Sequence, residues 1–479
     1  MHDIHHTIDP VTRIEGHAKI TLRLDGDGEV ADARFHVTEF RGFEEFCKGR
    51  PIHEMPGITA RTCGICPVSH LLAASKAGDM ILGVVPPPAA RKQRQLLNLA
   101  QILQSHSLSF FHLSAPDLLL GMDHDPATRN VFGLMQAEPE IARRGIRMRQ
   151  FGQEIITAVS GRRVHGHQVV PGGVTEPFTQ EKRAAIVADL DEILHGATAT
   201  LELLHSISDR FDRERASFGD FPSLFLSHVQ PDGTWEHVEG NLTMIDHDGS
   251  VVVNQFAPED YRRYLGESGK SDSYLKAPYY RERVDGDDPR PGMYRVGPLA
   301  RVNIAERFGT PIADEGLADF RERYGRVASS SFLYHHARVL EVIACTERIA
   351  ALMDDPVLFD TRVRAQAGIN SNRGVGASEA PRGLLLHDYE VDDHGLITGM
   401  NLIIATGQND LAMNATILSI AREFVDGPEL TDGMLNRIEA GVRAFDPCLS
   451  CSTHAIGQMP MKVQLLAPDG ELLQEVRRD

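Results

Sequence analysis

The sequence predicts an α+β fold in which helix dominates, a core bundle of long helices with β-hairpins at its periphery. Two observations predict it. Apolar residues recur at helical spacing over long stretches near 89–114, 139–160, 179–216 and 318–353. Two shorter runs, one near each end of the chain, alternate apolar and polar residues about Asp/Gly turns. With 479 residues, 42% of them hydrophobic, there is enough apolar mass for one large core or two fused ones.

The first hairpin is read from Ala18, Ile20, Leu22 and Leu24, which alternate before Asp25-Gly26-Asp27-Gly28 turns the chain into a second extended run ending near Phe40. Helical spacing then follows Cys66 and breaks at Pro86-Pro87-Pro88, where the missing amide hydrogens end a helix. Between about 220 and 310 the pattern shortens, with Gly, Pro and Asp punctuation and one strand-like run at 251–256, and reads as an irregular insertion. A second hairpin is predicted from 384–390 and 396–405 around Asp392-Asp393-His394-Gly395, with helix resuming over 409–425. The last stretch, 461–466 and 471–476 about Ala467-Pro468-Asp469-Gly470, reads as a terminal hairpin.

Charge and cysteine usage narrow the function. A formal charge of -18 disfavours a nucleic-acid or anionic-membrane surface, since both require a basic patch that displaces counterions. No apolar run reaches the roughly 18 residues of a membrane span, so no membrane anchor is expected. The start, MHDIHHTIDP, lacks the basic-then-apolar order of a signal peptide, and a cytoplasmic location is the expectation. Six cysteines, Cys47, Cys63, Cys66, Cys345, Cys448 and Cys451, are too sparse for a disulfide framework, and four of them form two tight pairs.

Those pairs carry the chemistry. In Cys63-Gly64-Ile65-Cys66, Gly64 permits the tight turn that lets both sulfurs face one point, and Pro67 suits the first position of a following helix. Cys448-Leu449-Ser450-Cys451 repeats the arrangement, and a histidine trails each pair, His70 and His454. Thiolates are soft, anionic ligands for late first-row metals, so the pairs predict one shared four-thiolate site. A structural zinc knot uses the same ligands, but its two pairs usually stand about 12 to 20 residues apart. Here nearly the whole chain separates them.

Together with Arg13-Ile14-Glu15-Gly16-His17, Arg41-Gly42-Phe43-Glu44, the stretch 161–173 and Gly376-Ala377-Ser378-Glu379-Ala380-Pro381-Arg382-Gly383, these motifs resemble the large, catalytic subunit of nickel-iron hydrogenases over essentially the whole chain. The alternative relative, the quinone-reducing subunit of respiratory complex I, lacks the metal-binding cysteines. The resemblance implies the nickel-iron hydrogenase large-subunit fold over 1–454 and reversible heterolytic cleavage of dihydrogen. It implies nickel held by four cysteines, with Cys66 and Cys451 bridging to an iron that carries carbon monoxide and two cyanides, and Cys63 and Cys448 binding nickel alone.

By matching position, Glu15 is the implied proton relay, Arg382 lies over the centre, and Asp117 and Asp446 orient Arg382. His70 bonds a cysteine sulfur. Pro381, Arg382 and Thr406 face the iron's diatomic ligands, and Glu44, the backbone oxygen of Leu385 and His454 hold a magnesium ion. Thr62 and the segment 405–409 depart from the usual family pattern.

Cys47 and Cys345 are too few for an all-cysteine iron-sulfur cluster, and the chain shows no Gly-rich dinucleotide fingerprint, so neither an iron-sulfur cluster nor a flavin is expected here. The resemblance implies a partner small subunit with iron-sulfur clusters. It is strongest to the soluble bidirectional NAD-linked type, in which flavin-bearing diaphorase subunits reduce NAD; a deazaflavin-linked or ferredoxin-linked relative is the alternative. The family also implies that a maturation endopeptidase removes residues 455–479.

Overall fold

The computed structural model describes residues 4–25, 29–39, 42–425, 430–452, 461–466 and 472–478. At the N-terminal end, Ala18–Leu24 pairs antiparallel with Val30–Val37, as the alternation predicts, and every second residue of the first strand is buried. The turn residues 26–28 lie outside the described residues. A strand that the sequence reading does not include, Ile4–Ile8, adds to the other edge of Ala18–Leu24.

The long helices are present, with corrections at their ends. Pro67–Leu82 begins on Pro67, where a missing amide hydrogen costs nothing, and stops at Gly83, whose φ of 65° only glycine adopts cheaply. The stretch expected over 89–114 is an α-helix over Pro88–Leu108 that widens into π-helical turns across Ser109–Ser114 and Pro116–Leu120. Pro116 cannot donate to a preceding carbonyl, which accounts for the change of pitch there. Pro139–Ser160 matches its expectation and ends at Gly161.

Two expected helices are divided. The 179–216 stretch is Gln180–Val187, Leu190–Ile207 and Asp212–Ser217, and the 318–353 stretch is Pro311–Tyr324 and Tyr334–Met353 with Gly325 at φ 87° between them. The apolar phase continues across each break, so periodicity alone joins pieces that the backbone separates.

The largest correction concerns 220–310, which is not an irregular insertion. Leu224–Val229, Asn241–Ile245 and Val251–Phe256 form an antiparallel meander, Tyr294–Arg295 pairs parallel with Leu224–Val229, and Leu265–Lys270 with Ser273–Tyr280 makes a separate hairpin. All six residues of Leu224–Val229 are buried, so the strand shows no alternation to read.

The second predicted hairpin is Gly383–Val391 with Ile397–Ile403, joined on its other edge by Arg373–Ala380. Asp410–Phe424 follows as expected, and Asp432–Phe445, which the sequence reading does not include, leads to the second cysteine pair. Met461–Leu466 pairs with Leu472–Arg478, as the terminal hairpin expects. Among the described residues no helix is long and apolar enough to cross a membrane.

One packing constraint positions the site. The Pro67–Leu82 helix lies directly on the Arg373–Ala380 strand, and two glycines make the approach possible. A methyl group on Gly376 would stand 1.9 Å from the oxygen of Ala73, and one on Gly374 would stand 2.2 Å from that of Ala77. Both obstacles are backbone atoms of the helix, so relief requires moving the helix away from the strand. We expect Gly376→Ala to destabilise the protein by about 1–3 kcal/mol, as overpacking does. A lowered midpoint in chemical denaturation checks this, and an unchanged midpoint would show that the helix is free to shift.

Candidate metal centre

The four paired cysteines, 382 residues apart between Cys66 and Cys448, meet at one buried point. Their sulfurs stand 3.2 Å apart for Cys63–Cys448, 3.4 Å for Cys66–Cys451, 2.9 Å for Cys448–Cys451 and 3.9 Å for Cys66–Cys448. All four lie within 4.8 Å of one another. Cys47 and Cys345 are buried elsewhere, and burial pushes the Cys47 thiol up to about 11.

Local backbone explains each pair. Cys63 turns into Cys66 so that the amides of Ile65 and Cys66 both point at the Cys63 sulfur, at 3.2 and 3.4 Å. The side-chain amides of Gln101 and Gln104, on the Pro88–Leu108 helix, both donate to the oxygen of Ile65, at 2.7 and 2.9 Å, and fix the loop from behind. On the other side, Glu15 forms a parallel bridge with Cys448, and its carbonyl accepts from the amide of Leu449 at 3.1 Å. Gly16 makes that bridge possible: its φ is 86°, and a Cβ there would fall 2.7 Å from that of Leu449.

As four thiolates, the donor set needs a cation. Hydrogen bonds from Cys448, Cys451 and Cys66 hold the Cys63 thiol well below its ordinary range, while burial pushes Cys448 and Cys451 well above theirs. Two thiolates about 3.5 Å apart repel by roughly 5 kcal/mol at an effective dielectric of 20, so four cannot coexist without a metal among them. A cage of four soft thiolates fits nickel, and it equally fits zinc.

Arg382 sits in the turn between Arg373–Ala380 and Gly383–Val391. Its Nε donates to the backbone oxygen of Asp446 at 2.5 Å, one terminal nitrogen to Asp446 Oδ1 at 3.0 Å and the other to Ser105 Oγ at 3.3 Å. Burial opposes its charge, but Asp446 and the thiolates of Cys448, Cys66 and Cys63 hold its pKa well above the ordinary value. Burial likewise raises the Asp446 carboxyl, against the pull of Arg382 and Arg338. Asp446 takes a left-handed backbone, φ 52°, that ends the Asp432–Phe445 helix and swings the chain toward Cys448.

The other predicted residues divide. Thr406, in the helical turn Ala405–Gln408, accepts the amide of Cys448 at 2.9 Å, which leaves its own hydroxyl hydrogen to donate. The Glu15 carboxylate accepts the amide of Ser450 at 3.0 Å, inside the second cysteine loop. His70 faces His387 across 3.1 Å, and His387 in turn meets the Tyr389 hydroxyl at 2.6 Å. Glu44 accepts from Lys276 Nζ at 2.9 Å and from the amide of Leu402 at 2.8 Å, on the strand beside the one that carries Leu385. His454, the third expected magnesium ligand, lies outside the described residues.

Asp117 is held by Arg13 at 2.5 Å, by Asn436 at 3.0 Å and by Arg443, and Arg382 is not among its hydrogen-bond partners. This cluster ties the segment before Glu15 to the helix that leads into Asp446. Sequence reasoning also misses Arg301, which is fully buried between Glu341 and Glu379 and donates to the backbone oxygens of Ala380 and Pro381 at 3.0 and 3.2 Å. It fixes the turn that presents Arg382. Nothing in the pattern around Arg301 marks it out, because its partners lie on two other segments, Glu341 on one and Glu379 to Pro381 on the other.

The comparisons agree with this geometry. A model described as HoxL-like matches residues 6–40, and the model described as nickel-dependent hydrogenase matches residues 41–127 and 243–454. The NAD-reducing hydrogenase HoxS subunit beta of Cupriavidus necator is 40% identical over 487 residues, covering 98% of this chain and 99% of that protein. An F420-non-reducing hydrogenase subunit of Methanothermobacter thermautotrophicus is 39% identical over 98% of this chain and 99% of its own length.

Among solved structures, an NAD+-reducing [NiFe]-hydrogenase in the H2-reduced state superposes with a TM-score of 0.91 at 44% identity, over 94% of this chain and 99% of that one. With a four-cysteine centre at its heart and this likeness over nearly its full length, the chain belongs to the nickel-dependent hydrogenase family, as its large subunit.

Proposed function

We propose that this chain is the hydrogen-cleaving subunit of an assembly that passes electrons to NAD. The observation that carries the catalytic part is the convergence of four buried cysteine sulfurs, with the buried, permanently charged Arg382 in their electrostatic reach. The NAD part is supported by the likeness to the NAD-reducing relatives named above. In this reading Cys63, Cys66, Cys448 and Cys451 would hold nickel, and Cys66 and Cys451 would also hold an iron that carries carbon monoxide and two cyanides. When bound, this pair of metals supplies the Lewis-acid position at which dihydrogen is polarised.

The chain's own residues do the rest. Glu15 takes the proton: its carboxylate is fixed by the amide of Ser450 within the second cysteine loop, and the residue is half-buried, so it reaches from the centre toward solvent. Arg382 keeps a fixed positive charge in a water-poor pocket, where stabilising a developing charge requires no reorientation. Asp446 and Ser105 position it, and Arg301 steadies the Ala380-Pro381 backbone beneath it. Thr406, whose hydroxyl oxygen accepts the Cys448 amide, would donate its hydroxyl hydrogen to a cyanide, and Pro381 would line the same ligand pocket.

His70, which faces His387 across 3.1 Å, would in this reading bond a cysteine sulfur. A magnesium ion at Glu44 and the oxygen of Leu385, completed by His454, would sit at the end of the Gly383–Val391 strand. Partners carrying iron-sulfur clusters and a flavin take the electrons onward, because the two cysteines outside the centre, Cys47 and Cys345, are too few to hold a cluster.

Infrared spectroscopy and nickel analysis of the purified assembly test the centre, together with dihydrogen-dependent NAD reduction. We expect one nickel per chain, bands from bound carbon monoxide and cyanide, and NAD reduction. Zinc without those bands would sink the metal assignment, and activity with a deazaflavin or ferredoxin alone would sink the acceptor.

For Glu15→Gln we expect proton-deuteron exchange with dihydrogen to fall by roughly 100-fold or more, the usual contribution of a positioned acid or base. Its infrared bands should stay unchanged. Arg382→Lys should lose a similar factor, roughly 10² to 10³, because a lysine cannot span Asp446 and Ser105 together. Exchange within a few-fold of the parent in either variant would remove that residue from the mechanism.

Removal of residues 455–479 after metal loading is the remaining part of the reading. Intact-mass measurement of the active, nickel-loaded protein should find the chain ending at His454, and a terminus at Asp479 would refute it.

A further inference from the structure

A second convergence of ligand atoms lies outside the four-cysteine centre and takes no part in the chemistry above. His205 in the last turn of Leu190–Ile207, Asp319 in Pro311–Tyr324 and His336 in the first turn of Tyr334–Met353 bring their side chains together from three helices. The His205 and His336 Nε2 atoms are 3.4 Å apart, and His205 Nε2 is 3.2 Å from Asp319 Oδ2. The three ligand atoms all fall within 4.8 Å of one another.

The geometry matches a shared ion better than a hydrogen-bonded cluster. Around a tetrahedral zinc with bonds of about 2.0–2.1 Å, neighbouring ligand atoms stand about 3.3–3.4 Å apart, the separations seen at His205. Hydrogen bonding satisfies the same atoms poorly: if His205 Nε2 carries a hydrogen and donates to Asp319, it has no lone pair left for a donor on His336. One cation at the centre satisfies all three at once.

The rings are also held in place for such a role. His336 is buried and meets Phe320 and Tyr324 edge to face, with centroids at 5.0 and 5.6 Å. Arg323 competes for Asp319 Oδ2 at 2.7 Å, but its side chain is 41% exposed and can swing clear, and a carboxylate offers lone pairs for both.

We propose that His205, Asp319 and His336 form a binding site for one divalent ion of the zinc class, which clamps the Leu190–Ile207, Pro311–Tyr324 and Tyr334–Met353 helices together. The proposal is independent of the reading of the four-cysteine centre.

Zinc titration of the assembled, metal-loaded enzyme after dialysis against a chelator tests it, with His205→Gln and Asp319→Asn as variants. Both side chains are partly exposed, so folding should survive either change. We expect one zinc per chain in addition to the metals of the cysteine centre, and a melting temperature that rises with zinc. Each variant should bind zinc at least about tenfold more weakly, since even loss of a group that only supports a ligand costs that much. Nickel content and dihydrogen turnover should not change.

Failure of the parent enzyme to take up the extra zinc, or equal zinc uptake by both variants, would overturn the proposal, the second outcome placing zinc on other histidines. Cobalt substitution gives a readout that needs no variant. Tetrahedral bands without thiolate charge transfer support the site, and only octahedral cobalt counts against it.

Discussion

The buried ion pair between Arg382 and Asp446 sets the position of nearly everything at the metal centre. Its side chains are 3% and 2% exposed, so both charges have left water at a cost of several kcal/mol each. The compensation is dense: Arg382 donates to the carboxylate of Asp446, to the backbone oxygen of the same residue and to Ser105. Because Asp446 bends the chain at the end of Asp432–Phe445, the pair locks the second cysteine loop against the turn at Ala380–Gly383. Loss of one partner would strand the other charge, a penalty of about 3–5 kcal/mol. The pair thus contributes less to net stability than to fixing one arrangement of the loops.

Two further charge networks extend this control outward. Arg301 between Glu341 and Glu379 joins the Tyr334–Met353 helix to the Arg373–Ala380 strand and holds the backbone just before Arg382. Arg13 and Arg443 meet on Asp117, while Thr12 donates to Glu439, so the segment that leads to Glu15 is fastened to the helix that leads to Cys448. The Glu15–Cys448 bridge is the endpoint of that fastening. Irregular backbone at the centre is therefore held as firmly as helix, although it contributes few hydrogen bonds of its own.

How much of this is legible in the sequence depends on the range of the signal. The cysteine pairs are local, three residues apart, and their chemistry reads directly. Hairpins with one exposed face show alternation, and Ala18–Leu24 is legible that way. Leu224–Val229 is buried on both faces and shows none, so its sheet reads as irregular. Arg373–Ala380 is rich in Gly, Ala and Ser, with Gly374 and Gly376 lying against a helix, and those residues carry no strand signal. The arginines that hydrogen-bond Asp117, Arg13 and Arg443, are 104 and 326 residues away, and only the fold brings them together.

The same range argument bears on how the centre forms. Closing a loop of n residues costs about (3/2)RT ln n, which is roughly 5 kcal/mol for the 382 residues between Cys66 and Cys448, against about 2.4 kcal/mol for a 15-residue zinc knot. A metal recruiting both pairs from an unfolded chain would have to supply that difference of about 3 kcal/mol in addition to its ordinary task. A folded scaffold removes it. The Gly376 contact seats the first cysteine helix on its strand, Arg301 sets the turn, and Arg382 then offers Asp446 a fixed partner. Packing thus supplies most of the closure that a metal would otherwise have to drive, and Glu15 and Arg382 fasten the second cysteine loop that completes the cage.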